Sequence, residues 1–113
     1  MSRSGLQEPS FLVLTALAQG PMHGYAILKD VEVTSSGTVR LGVGTLYGAL
    51  ERLAERHLVE VAAEEVVDSR LRRTYRLTDD GAALLAAEAQ RRHEQSAAAM
   101  SRLARAPRLG WQS

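Results

Sequence analysis

The chain has 113 residues, 14 Lys+Arg against 13 Asp+Glu, and no cysteine. That length fits one domain, and 45% hydrophobic with 24% charged residues is the composition of a soluble globular protein. Without cysteine there is no disulfide framework, thiolate nucleophile, Cys-based zinc site or iron–sulfur cluster, and no apolar run approaches the ~20 residues of a membrane span.

Residues 1–8 are polar and aperiodic and predict a flexible arm; with only Arg3 before Pro9 they do not read as a signal peptide, so the expected compartment is the cytoplasm. Pro9-Ser10 opens a first helix, in which Phe11, Leu14 and Leu17 recur at helical spacing until Gly20-Pro21 ends it. A second helix is predicted over about 22–33, with Tyr25, Leu28 and Val31 on one face beside Ile27, and Lys29, Asp30 and Glu32 opposite. Residues 34–44 read as a loop rich in glycine and hydroxyl side chains. The clearest helix runs from Thr45 to His57, capped by Gly44 or Thr45, with Leu46, Ala49, Leu50 and Leu53 on one third of the wheel.

From 58 to 78 the period changes to two. Val59, Val61 and Ala63 alternate with Glu60, Ala62 and Glu64. After a turn at Asp68-Ser69, Leu71, Arg73, Tyr75 and Leu77 alternate with Arg70, Arg72, Thr74 and Arg76. This is an antiparallel hairpin, and it must lie against the helices to be stable. Thr78 caps a last helix whose first turn holds Asp79 and Asp80, where the helix dipole favours negative charge. It continues to about Arg105, before Pro107. Ala82, Leu85, Ala89, His93, Ser96, Met100 and Leu103 form a stripe along it that a small monomer cannot cover, so a second copy is the expected partner.

The predicted fold is mainly α with a two-stranded β-hairpin: a winged helix-turn-helix over 9–78, a dimerisation helix over 79–106 and a tail over 107–113. In that arrangement the third helix enters a major groove and the hairpin is the wing. The stretches Leu14–Tyr25 (LTALAQGPMHGY), Gly44–Leu53 (GTLYGALERL) and Arg73–Gly81 (RTYRLTDDG) resemble the PadR-like family of transcriptional regulators, over roughly residues 11–105. The resemblance implies a homodimeric repressor of double-stranded DNA on a palindromic operator, released or engaged by a small aromatic or drug-like effector, with no cofactor and no membrane. Three features depart from the family pattern. Gly48 follows the tyrosine, the 34–43 loop predicts a looser approach to the third helix, and the wing tip has no glycine, so Asp68-Ser69 is expected to turn through side-chain hydrogen bonds.

For DNA contact the candidates are Thr45, Tyr47, Gly48 and Arg52 on the third helix, Arg40 before it, Lys29 on the second, and Arg70 and Arg72 near the wing tip. Tyr47 either meets DNA or packs between the third helix and the wing; Arg40 and Lys29 either hold phosphates or are solvated. Glu60 and Glu64 are expected to neutralise part of the wing, Arg76 first, since its four arginines face four acids (Glu60, Glu64, Glu65, Asp68). Leu85, Ala89, His93, Met100 and Leu103 are the dimerisation candidates. Phe11, Met100 and Trp111 are the effector candidates, with Trp111 equally readable as part of a loose tail. His23 reads as a cap rather than a metal ligand. A protein-interaction module built on the same fold is the alternative; no nucleophile elbow, zinc-helix motif or P-loop points to an enzyme.

Overall fold

The structure is a computed structural model and describes residues 5–106. The element order is α1 (Glu8–Leu17), β1 (Met22–His23), α2 (Gly24–Thr34), α3 (Val43–Glu55), β2 (Val59–Val67), β3 (Arg70–Leu77) and α4 (Asp79–Arg105). This is the winged helix-turn-helix with a long C-terminal helix.

α1 is apolar almost all round because it is the centre of the core: Leu12, Val13, Leu14, Ala16 and Leu17 are all buried. α2 contributes Ile27 and Val31, and α3 contributes Leu46, Leu50 and Leu53. The predicted face of α3 is therefore the observed one. The face of α2 is not: Gly24, Ile27 and Val31 point inward, and Tyr25 is 66% exposed. α3 ends in a Schellman-type turn. The N–H of Leu58 donates to Leu53 O at 2.9 Å and that of His57 to Ala54 O at 2.9 Å, with His57 in the left-handed region at φ 60°. This corner sends the chain directly into the wing.

Several expectations change. The arm does not extend to residue 8, because Leu6 is buried in the core and Glu8 opens α1. α3 starts at Val43 with Gly42 at its N-cap, so neither Gly44 nor Thr45 caps it. The sheet has three strands in the order β1-β3-β2, because Met22 and His23 pair with Tyr75 and Thr74. The loop before α3 is not loose. The Val39 N–H donates to Ser35 Oγ at 3.0 Å, Thr38 Oγ1 donates to Ser35 O at 2.8 Å, and Val39 and Leu41 pack on the core.

The wing turns without side-chain help. Asp68 and Ser69 both sit at positive φ (53° and 66°), as a two-residue type I′ turn demands, and among the described residues neither side chain makes a hydrogen bond. A β-bulge lies between Val61 and Ala63. The extra residue reverses the alternation of β2 beyond it, so Glu64 opposes Arg73 and Val66 opposes Leu71.

α4 docks by a face one residue out of register with the predicted stripe. Gly81 and Glu88 are buried, Leu84 and Leu85 pack on the core, and Arg92 is half-buried. Of the predicted stripe, Leu85 thus serves the chain's own core, while Ala89, His93, Met100 and Leu103 are exposed. From His93 to Arg105 every residue but Ala98 is exposed, and the helix carries the molecule to a length of 63 Å.

Candidate functional site

α3 buries its leucines and thereby turns Thr45, Gly48 and Arg52 outward. They lie three and four residues apart on one stripe, with Thr45 and Arg52 exposed. Arg52 reaches back along this stripe: its Nη1 would lie 3.4 Å from a Cβ placed on Gly48. Tyr47, 45% exposed, leans instead toward the start of α2. Its hydroxyl occupies the space a side chain at position 24 would need, 2.4 Å from a Cβ placed on Gly24. The packing partner is thus the start of α2 and not only the wing. The ring packs on Gly24, and its edge remains open.

Between Tyr47, the first turn of α2 and the wing lies a cleft of about 570 Å³. It gathers Tyr47 with Arg70 and Arg72, as the sequence candidates anticipate. It also gathers His23, Tyr25, Leu71 and Arg73, which sequence reasoning did not assign to a site. His23 caps α2 by accepting the Ala26 N–H at Nδ1, 3.4 Å away. An imidazole that accepts at Nδ1 carries its proton on Nε2, leaving that nitrogen as a donor. The order His23-Gly24-Tyr25, followed by Tyr47 on the next helix, was the available signal for this wall. It is visible only once α2 and α3 are placed side by side.

The wing arginines divide by partner. Arg73 Nε donates to Glu64 Oε2 at 2.8 Å, and Arg76 Nε to Glu60 Oε2 at 2.8 Å. Donation to Glu64, and then to Tyr75, pushes the Arg73 pKa further up. Among the described residues Arg70 and Arg72 form no ion pair, although Glu65 is the register partner of Arg72. Arg76 is thus neutralised as its position at the hairpin base suggests. Glu64 pairs on the opposite face from the predicted arginine row, because of the bulge.

Arg40 and Lys29 lie outside this cleft. Arg40 pairs with Glu32 at 3.3 Å on an exposed surface, and Lys29 sits over the Tyr25 ring at 5.5 Å. Phe11 and Met100 stand in different surroundings. Arg92 covers the Phe11 ring at 4.1 Å, and Met100 is 68% exposed. Trp111 lies outside the described residues. Among the described residues no group of three or more His, Asp or Glu could hold a metal ion, and no helix is long and apolar enough to cross a membrane.

Comparison with known proteins places this geometry. An uncharacterized 37.1 kDa protein in transposon TN4556 of Streptomyces fradiae is 45% identical over 82 residues, which are 73% of this chain and 22% of that protein. The chain therefore spans about a fifth of that relative. A PadR family transcription regulator from Clostridium difficile superposes with a TM-score of 0.71 at 23% identity, covering 86% of this chain and 99% of that one. Bacillus subtilis PadR in complex with operator DNA superposes with a TM-score of 0.62 at 19% identity, covering 70% of this chain and 46% of that one. Residues 13–87, from α1 into α4, match the sequence profile of the transcriptional regulator PadR-like family, and the chain belongs to that family.

Proposed function

We propose that this chain is a DNA-binding repressor that acts as a homodimer on a palindromic operator. The observation that carries the reading is the cleft in which Arg70 and Arg72, the two wing arginines without ion pairs among the described residues, stand beside Tyr47 and the first turn of α2. Backbone phosphates, one for each arginine, are the groups that such a set of donors holds. The outward stripe Thr45, Gly48, Arg52 then meets base edges and phosphates in the major groove, and Gly48 permits close approach. Arg40 and Lys29 are flanking phosphate contacts. The Bacillus subtilis PadR–operator complex, whose fold this chain shares, supports the reading. Ala89, His93, Met100 and Leu103, exposed along α4, are the dimer contacts. Two-fold symmetry sets half-sites about 34 Å apart. A small aromatic or drug-like effector is the further expectation. Its site would form between subunits, where Phe11 becomes available only if Arg92 moves off its ring.

Gel-shift titration against the chain's own upstream DNA tests this. Each arginine that neutralises a phosphate adds about 0.9 to the slope of log K against log salt. Replacing both Arg70 and Arg72 by Ala removes four such contacts per dimer. The slope is expected to fall by about 3 to 4 and the affinity by about a hundredfold. An unchanged slope would instead favour the protein-interaction module.

Gly24→Ala gives an independent handle on Tyr47. The new methyl meets the mobile end of a side chain, so the ring is displaced and the fold is kept. Affinity is expected to fall about tenfold, one charge-assisted hydrogen bond, to the level of Tyr47→Phe, with the melting temperature nearly unchanged. Full affinity in Gly24→Ala would remove Tyr47 from the interface.

A further inference from the structure

β3 has two edges, and only one of them is covered along its whole length. β2 pairs with it from Arg70 to Leu77, whereas β1 pairs only with Thr74 and Tyr75 before the chain turns into α2. The second edge is therefore open over residues 70–73, and the cleft runs along it, between those residues and the start of α2. The hydrogen-bonding direction there follows from the turn. Val67 and Arg70 flank a two-residue turn and so exchange main-chain bonds with each other. Alternation then aims the N–H and C=O of Leu71 and of Arg73 away from β2, as it aims those of Tyr75 at Met22. Among the described residues these groups of Leu71 and Arg73 have no main-chain partner. Side chains alternate as well. Leu71 and Arg73 share the helix-facing side with the buried Tyr75, and Arg70 and Arg72 stand on the outer side, without ion pairs among the described residues.

A row of unpaired main-chain groups beside a cleft is a template for one more strand. We propose that this edge docks an extended segment of a partner protein by strand addition, in line with β1, and that the segment alternates acidic and apolar residues. Its acidic side chains lie on the outer side against Arg70 and Arg72. Its apolar side chains lie on the inner side, against Leu71 and toward Tyr47. Arg73 takes no part in this selection because Glu64 already holds it. The docking does not depend on the DNA-binding reading. Its consequence does: the segment takes the same two arginines as the DNA phosphates, so such a partner is a competitive antagonist of the operator.

The probe is a fluorescein-labelled, end-blocked hexapeptide of alternating glutamate and valine, titrated into the full chain and followed by anisotropy. Saturable binding is expected. Hydrogen exchange at the Leu71 and Arg73 amides should slow at least about tenfold on saturation. The residues opposite Leu71 and Arg73 turn their own main-chain groups toward β3, and in the proposed register these are the valines. N-methylation of the valine amides should therefore weaken binding about tenfold or more, and N-methylation of the glutamate amides should leave it nearly unchanged. Arg70→Ala/Arg72→Ala should weaken it about tenfold. No binding of the unmodified peptide overturns the docking. So does equal binding of the two N-methylated peptides, or unslowed amides at saturation, since the arginines would then capture charge alone. With a duplex bound to the protein, saturating peptide should release it, and a duplex that stays in place overturns the antagonism. A protein that binds no duplex overturns the DNA-binding reading, while the docking stands or falls on the peptide results.

Discussion

Gly81→Ala is expected to lower the melting temperature by roughly 15 °C, the equivalent of about 3 kcal/mol in a domain of this size. The substitution would ordinarily help a helix by about 1 kcal/mol. Here a Cβ would lie 2.0 Å from the Leu58 carbonyl oxygen and 2.9 Å from its carbon. Both are main-chain atoms, so no rotamer change relieves the overlap, and α4 must lift away. The contact is also the hinge of the fold. Thr78 Oγ1 donates to His57 O at 2.6 Å and accepts the Gly81 N–H at 2.9 Å, and the Thr78 N–H donates to Leu58 O at 3.1 Å. Displacing Gly81 breaks the cap together with the packing. Gly48→Ala is the control: its Cβ would meet only the tip of Arg52 at 3.4 Å, so stability should rise by a few tenths to about 1 kcal/mol. Thermal melts of the two variants check both signs. A Gly81→Ala protein that melts with the wild type would mean that α4 is not seated on the α3–β2 corner.

Glu88→Gln is expected to cost about 2 kcal/mol at neutral pH and to flatten the acid side of the stability curve. Glu88 is 3% exposed. Burial by itself pushes its carboxyl pKa up, but the Arg91 hydrogen bond, the Leu6 backbone and the charges of Arg91 and Arg92 outweigh this and hold it below the usual carboxylate range. Arg92 extends the network: its Nη2 donates to Leu6 O at 2.7 Å, and its guanidinium covers Phe11. Breaking a fully buried pair costs about 3–5 kcal/mol. The arginine side chains are 46% and 34% exposed and can rehydrate, which reduces the figure. With the folded-state pKa below the unfolded one, the unfolded chain binds the proton first. The contribution of Glu88 is therefore complete above the ordinary carboxylate pKa and is lost as pH falls through the lower, folded value. Urea melts from pH 7 to pH 3 should show the wild type losing more stability than Glu88→Gln. Parallel curves would show that the carboxylate is not held in its charged form by these partners.

Where one element's own periodicity carried the information, the sequence was sufficient. The leucines of α3 repeat on one third of the wheel and are buried. The two alternating runs after Leu58 form the wing, and Thr78 with Asp79 and Asp80 starts α4 as capping and the helix dipole require. The arginines without ion pairs among the described residues were legible too, because position along the hairpin separates Arg70 and Arg72 from Arg76.

What could not be read depends on groups distant in sequence. Met22 and His23 are a strand only because Tyr75 and Thr74 offer an edge fifty residues on. Tyr47 points toward the cleft because Gly24 leaves room for it. The bulge at Ala62 leaves no mark in an alternating string, yet it decides which side chains share a face, sending Glu64 to Arg73 and creating the Val66–Leu71 pair. Glu88 and Arg92 look like ordinary solvated charges on a polar helix. They define its docked face because Arg91, the Leu6 main chain and the Phe11 ring compensate their burial. Local pattern sets which backbone forms where, since propensity and amphipathicity act within a few residues. Register, close approach and buried charge are settled by pairwise contacts across the fold, and those place the cleft and the wing tip on which the proposed function rests.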